Sequence, residues 1–331
     1  MIDGIKYVEL DIRAHGYGVV NWNGVATKGE PVKVAGQTYV PEYSNHTIPK
    51  LRNGQIYVSS KCIRHYLFRE EAFGLAMSGD ACFHAKSGEG VGFLEQKLLA
   101  MLSSSVGLLR GYLETVKGAA SGGYMKASPL TVSDFEETLG NVTLYEQHCH
   151  GADPTADGKG NTFFSRTTAG ETAYRGRCVI GIEDLQFISL STVAWRCAYP
   201  IQGGALDAGV VEATERLRVG ILDYLERAKL MLGLDQLKPG LQVGLFSRRN
   251  ALVPLNEYGL LLDQDAIEVL VQLVIARFKA LVITQGQGMF AVDDVRVCFS
   301  DRPQRWDTTK FQGNERGEPY AQYYEAQWCW F

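Results

Sequence analysis

The last third of the chain leaves a fold the least freedom. Residues 263–281, DQDAIEVLVQLVIARFKAL, carry apolar side chains at helical spacing behind Asp263, which is placed to cap the first turn. LQVGLFSRRNALVPL before them reads as strand, turn, strand, and AVDDVRVCFS after them alternates as a strand. Residues 5–22, IKYVELDIRAHGYGVVNW, add a long strand or bent hairpin interrupted at Gly16 and Gly18. A helix is expected over Phe93–Leu113. Its stripe runs through Leu94, Lys97, Leu98, Met101 and Leu102 and continues past a Ser-rich turn to Leu108, Leu109 and Tyr112. Together these elements allow a βαββαβ order, so the expected class is α+β, an antiparallel sheet with two helices on one face.

The remaining segments read less sharply. Val210–Leu232 is an amphipathic helix and residues 178–191, CVIGIEDLQFISLS, a core strand pair. Phe73–Gly92 is glycine-rich with little periodicity, as an insertion or mobile loop would be, and KGAASGGYMKASPL places Tyr124, Met125 and Lys126 in a glycine-rich loop. His148–Arg177 is polar and glycine-rich and is expected to project from the core. The aromatic end, YAQYYEAQWCWF, reads either as a strand or as a docking element.

Charge is distributed unevenly. The chain of 331 residues has a net charge of −4, yet Asn45–Arg69 holds Lys50, Arg52, Lys61, Arg64 and Arg69 without one Asp or Glu. A polyanion is the natural partner of such a track, while the acidic whole argues against indiscriminate nucleic-acid binding. Within the track, Ser59 and Ser60 precede an amphipathic helix starting at Lys61. Two cations, His65 and two hydroxyls would then gather at a helix N-terminus, where phosphate binds readily.

Other chemistry is poorly supplied. Seven cysteines (Cys62, Cys82, Cys149, Cys178, Cys197, Cys298 and Cys329) form no C-x-x-C pair and read as reduced thiols. His148-Cys149-His150 and Cys82-x-His84 contain metal-ligand types, but at no zinc spacing. Neither a P-loop, nor H-E-x-x-H, nor G-x-S-x-G, nor a dinucleotide fingerprint occurs, and the Gly286-Gln287-Gly288-Met289 turn is too short to cradle a pyrophosphate. The neighbours Glu136-Glu137 and Asp293-Asp294 read as solvated or strand-edge pairs. His65 is the sole candidate general base. No apolar run approaches a membrane span, and MIDGIKYVELDI lacks the features of a secretory signal, so a cytoplasmic location is expected.

Binding a single-stranded nucleic acid needs cations along the backbone and flat or apolar groups for the bases. Candidates are Lys50, Arg52, Ser59, Ser60, Lys61, Arg64 and His65, with Tyr124 and Lys126 in the glycine loop. Phe163, Phe164 and Arg166 on the protrusion, Arg248 and Arg249 at a hairpin turn, and Gln287 complete the set.

Several segments, in order, resemble one known family: VNWNG (Val20–Gly24), HTIPKLR (His46–Arg52), YVSSKCIRHYLFREEAF (Tyr57–Phe73), RGY (Arg110–Tyr112), KASPLTVSD (Lys126–Asp134) and IEDLQFIS (Ile182–Ser189). Over residues 15–190, and more faintly in the C-terminal helix and strand, the chain is similar to the backbone subunit of CRISPR RNA-guided surveillance complexes of Cascade type. This subunit belongs to the RAMP superfamily, and the likeness is to its type IV and minimal type I versions. The resemblance implies one elaborated domain over 1–331: an RRM-like (ferredoxin-like) palm, a finger insertion at 25–92 and a thumb hairpin at 141–177. It further implies copies that polymerise helically along the spacer of a guide RNA, alongside other subunits of the complex, and present that RNA to target DNA. On this resemblance Ser59, Ser60, Lys61, Arg64 and His65 grip guide phosphates, Lys50 and Arg52 approach them, and Lys126 lies near the RNA. No cofactor and no catalytic activity are expected. Two other readings stay open: a metal-independent endoribonuclease using His65, and a scaffold that binds only protein.

Overall fold

The computed structural model describes residues 2–20, 31–34, 36–39, 51–52, 54–69, 91–115, 123–140, 142–154, 160–191, 197–199, 208–252, 255–285, 288–304 and 311–330. In chain order the strands begin with β1 (Tyr7–Tyr17), β2 (Val32–Val34), β3 (Gln37–Tyr39), β4 (Leu51–Arg52), β5 (Gln55–Val58) and β6 (Tyr112–Thr115). Next come β7 (Gly123–Lys126), β8 (Leu130–Val132), β9 (Phe135–Glu137), β10 (Thr143–Pro154), β11 (Gly160–Ala169) and β12 (Glu171–Gly181). The last six are β13 (Phe187–Ser189), β14 (Leu241–Arg248), β15 (Asn256–Leu262), β16 (Val282–Gln285), β17 (Gly288–Ser300) and β18 (Tyr324–Trp330). The α-helices are α1 (Ser60–Leu67), α2 (Val91–Leu102), α3 (Ile182–Gln186), α4 (Ala208–Met231) and α5 (Gln264–Lys279).

The main sheet runs β16-β17-β1-β12-β9-β5-β4, with β8 also on β12, and its ladders are antiparallel. Strand β1 lies at its centre. Its apolar and polar residues alternate, and Val8, Leu10 and Ile12 are fully buried, as are Cys178 and Ile180 on β12, but Glu9 and Asp11 between them are buried as well, so burial alternates only from Ile12 onward. Gly16 is small for a reason, because a Cβ there would meet the Tyr174 ring at 2.8 Å and the Met289 carbonyl at 2.7 Å. The strand therefore continues through Gly16 and stops at Gly18, whose φ is +63°.

Helix α5 packs on β1 and β17, and α4 packs on α5 and α2. The Asp263 carboxylate caps α5 by accepting the Ala266 N–H at 2.8 Å. Lodged between sheet and α4, α5 is buried nearly all round, Arg277 included. The Arg277 guanidinium donates to the Leu67 carbonyl (3.1 Å), the Ser105 hydroxyl (2.7 Å) and the Tyr224 hydroxyl (3.3 Å), joining α1, the turn after α2, α4 and α5.

A second antiparallel sheet, β13-β15-β14-β18, takes in the aromatic end of the chain as an edge strand. Phe187 stacks on Tyr324 with centroids 4.5 Å apart, and its ring fills the place of a Cβ on Gly259. Several expectations change. Tyr112 opens β6 instead of extending the helical stripe, since a π-helical turn at Val106–Arg110 ends at Gly111 with φ +73°. Tyr124–Lys126 is not a loop: it forms β7, paired with β6. Residues 178–191 are the end of β12, the short helix α3 and β13, because α3 carries the chain from one sheet to the other. Of the expected protrusion, β10 and β11 form a two-stranded ribbon, but Glu171–Arg177 lies in the main sheet between β1 and β9. The stretch 73–90 lies outside the described residues.

Candidate nucleic-acid interface

Helix α1 begins where the sequence places it. Ser59 is extended (φ −65°, ψ 146°) and its hydroxyl accepts the Cys62 N–H at 3.4 Å, while Ile63 and Leu67 are fully buried. The first N–H of the helix is not open to an outside anion, because Ser60 N–H donates to Asp134 Oδ1 at 2.7 Å. The other oxygen of Asp134 pairs with Arg52 Nη2, and Arg52 Nη1 reaches Glu136 Oε1 at 3.1 Å. Burial pushes the Asp134 carboxyl up, but the Ser60 N–H and the Arg52 guanidinium outweigh it and hold the group below the usual carboxylate range. Asp134 thus ties Arg52 to Ser60 at the start of α1 and takes one of the N–H groups expected to face a phosphate.

The cations of α1 part ways. Lys61 and His65, four apart, share the outer face of α1 and Arg69 follows the helix end; all three are exposed, with no ion pair among the described residues. His65 meets Tyr66 edge to face at 5.1 Å, and Arg69 lies 5.8 Å from the Tyr66 ring centre. Arg64 turns inward instead, donating to the carbonyls of Leu130 (3.2 Å) and Arg110 (2.5 Å) and to the Ser128 hydroxyl (3.1 Å). Burial, then the nearby Arg110, lowers its pKa. Arg64 is thus a strut between α1 and the Ser128–Leu130 segment, and the expected pairing of Lys61 with Arg64 on one outer face does not form.

Lys126 is buried as well. Its ammonium donates to the carbonyls of Asp184 (2.7 Å) and Ala127 (3.2 Å), because β7 turns it toward α3. Tyr124 is half-buried on the same strand, and burial raises its pKa. At the end of β14, Arg248 forms a two-pronged pair with Glu183 (Nη2–Oε2 2.9 Å), and Arg249 lies 3.7 Å from Glu325. In the β10–β11 ribbon Phe163, Phe164 and Arg166 stand opposite Cys149, His148 and Glu146. Lys50 and Gln287 lie outside the described residues.

Sequence reasoning passed over the acids that organise this corner. Ser133–Glu137, SDFEE, supplies Asp134 and Glu136 to Arg52, while buried Glu137 accepts the Ile56 N–H (3.2 Å) and the Thr172 hydroxyl (2.8 Å). Glu137 is therefore no solvated neighbour of Glu136, since β9 sends the two to opposite faces. The available signal was a carboxylate cluster closing a segment that already carried the KASPLTVSD motif. On the main sheet, Arg175 pairs with Asp11 (2.7 and 2.9 Å) and Arg177 with Glu9, so those cations too are neutralised from within. Among the described residues no group of three or more His, Cys, Asp or Glu side chains gathers to hold a metal, and no helix is long and apolar enough to cross a membrane.

Similar solved structures include two described as CRISPR RNA-guided surveillance complexes. One, described as pre-nicking, is 11% identical over 66% of this chain and 71% of the other, with a TM-score of 0.28. The second is 12% identical over 68% and 84%, with a TM-score of 0.25. No curated protein sequence matches. The family described as type I-Fv CRISPR-associated protein Cas7fv-like matches over residues 4–54 and 52–327, and the chain belongs to that family.

Proposed function

We propose that this protein is a non-catalytic backbone subunit that binds guide RNA, polymerises along its spacer and presents it for pairing with target DNA. The observation that carries the reading is the family match across nearly the whole chain. Lys61, His65 and Arg69, the described residues of the basic track held by neither an ion pair, as Arg52 is, nor backbone carbonyls, as Arg64 is, support α1 and its end as the place of contact. Such a group neutralises a few phosphates and reads no base, as suits a protein whose guide supplies sequence by pairing.

The antiparallel order β17-β1-β12-β9, with α5 leading through the short strand β16 into β17, supports reading the main sheet as an RRM-like palm of βαββαβ type. In the same reading the finger is the insertion at 25–92, and the thumb is the β10–β11 ribbon within 141–177. Phe163, Phe164 and Arg166 then stand along the middle of the ribbon, and the acidic remainder of the surface discourages stray nucleic acid.

The test is purification from cells that express the guide, followed by the 260/280 nm ratio and an RNA length ladder. Bound RNA, with protein copies at a fixed nucleotide spacing, is expected. Protein that stays free of RNA and monomeric when guide is supplied refutes the proposal. RNA cleavage abolished by His65→Ala, with affinity retained, would establish a ribonuclease instead.

A further inference from the structure

We propose that Arg52 is a preset phosphate fork whose outer counter-ion, Glu136, gives way to the nucleic-acid backbone. This rests on the RNA-binding reading above, in which Arg52 only approaches the phosphates, and adds the exchange by which it would take one. Arg52 stands on the tight β4–β5 hairpin, directly opposite Gln55, and the turn passes through Gly54 at φ +80°. Three groups hold its guanidinium: the Tyr57 ring, with centroid 4.7 Å from Cζ; Asp134 at Nη2; and Glu136 at Nη1, 3.1 Å away. These holds are unequal.

Asp134 is a fixture. Its side chain is 21% exposed and its second oxygen is already bound to the Ser60 N–H, so releasing it would also uncap α1. Glu136 is 64% exposed and makes no other ion pair among the described residues. A phosphate oxygen can take the place of the Glu136 oxygen on Nη1 while Tyr57 and Asp134 keep the guanidinium where it is. The planar fork of arginine suits that exchange, because one edge can stay on a carboxylate while the other takes a phosphate. A side chain immobilised beforehand also loses little freedom on binding. Before RNA arrives the one guanidinium faces two carboxylates, a net charge of −1, which blunts its pull on stray anions.

The probe is a fluorescein-labelled single-stranded RNA of mixed sequence, titrated with the full chain by anisotropy at about 50 mM salt, where phosphate contacts weigh most. Glu136→Gln is expected to tighten binding about threefold to tenfold, and Arg52→Ala to weaken it by a similar factor. The decisive result is the cycle: in the Arg52→Ala background, Glu136→Gln should change affinity less than about twofold. Arg52→Lys, which keeps the charge and loses the fork, should fall close to Arg52→Ala. Thermal melting of each variant identifies any loss that comes from unfolding. An equal gain in both backgrounds, or no gain at all, overturns the exchange. If RNA binds wild type and Arg52→Ala alike, the fork is wrong and the RNA-binding reading stands. Absence of RNA binding by the wild type removes both.

Discussion

Replacing Arg277 by Met tests whether the buried guanidinium holds the helical layer together or merely costs desolvation. Arg277 is 0% exposed, and its acceptors, Leu67 O, Ser105 Oγ and Tyr224 OH, come from three different parts of the chain. Met fills much of the volume but donates nothing. The two hydroxyls can rotate toward other partners, so the larger loss falls on the Leu67 carbonyl at the end of α1. Stranding a buried acceptor costs about 1–3 kcal/mol, and weakening two hydroxyl contacts adds about 1–2 kcal/mol. Relief from burying a guanidinium offsets part of this, which leaves a net loss of about 2–4 kcal/mol. With a urea m-value near 3 kcal/mol/M, the unfolding midpoint should fall by about 1 M. Circular dichroism in urea measures it. Hydrogen exchange adds a local readout, since the Phe68 and Arg69 amides that close α1 on Arg64 and Tyr66 should exchange faster. An unchanged or higher midpoint would mean that the network is dispensable and that apolar packing alone holds α1 to α5.

Three other outcomes follow from the same geometry. Lys61→Ala with Arg69→Ala should weaken RNA binding on every sequence alike and reduce the salt slope of log K by about 1.4, whereas a shifted sequence preference at constant slope contradicts phosphate contact. Arg64→Ala should lower the melting temperature, because it takes a donor from the Leu130 and Arg110 carbonyls and the Ser128 hydroxyl at once; a stable variant with a reduced salt slope would put Arg64 back among the RNA contacts. Asp134 has a depressed pKa, so its contribution is present above the ordinary carboxylate value of about 3.9 and is lost as pH falls through the lower folded value. Melting curves of wild type and Asp134→Asn should therefore differ steadily from about pH 5 to 8 and begin to converge as the pH falls below about 3.9, and a constant difference down to pH 2 refutes this.

Periodicity made the frame legible. The Asp263 cap, the apolar rows of α5, the alternation of β1 and the Ser59 start of α1 are local patterns, and each forms where the residues place it. What escaped were side chains whose partners lie far along the chain. Lys126 reads as a loop cation until β7 and α3 bring the Asp184 carbonyl to 2.7 Å from its ammonium, across 58 residues. Arg64 reads as a surface cation until the backbone of Leu130, 66 residues on, takes its guanidinium. Tyr112 continues a helical stripe by spacing, but Gly111 at φ +73° ends the helix first.

The basic track shows why a one-dimensional charge count misplaces a binding face. A window without acids predicts a positive surface only if acids elsewhere do not fold onto it, and Ser133–Glu137 does fold onto it. Asp134 satisfies the start of α1 and one edge of Arg52, so these cationic features become structural glue. Cations left for a ligand are then set by side-chain direction on α1. The inward row Ile63, Arg64 and Leu67 belongs to the core and its rim, and the outward row Lys61, His65 and Arg69 to solvent. On the proposed reading, a phosphate chain at this corner meets those exposed cations and the Arg52 fork behind one exposed carboxylate. Affinity should accordingly depend more steeply on Lys61, Arg69 and Glu136 than on Arg64 or Lys126, although all but Glu136 carry the same charge.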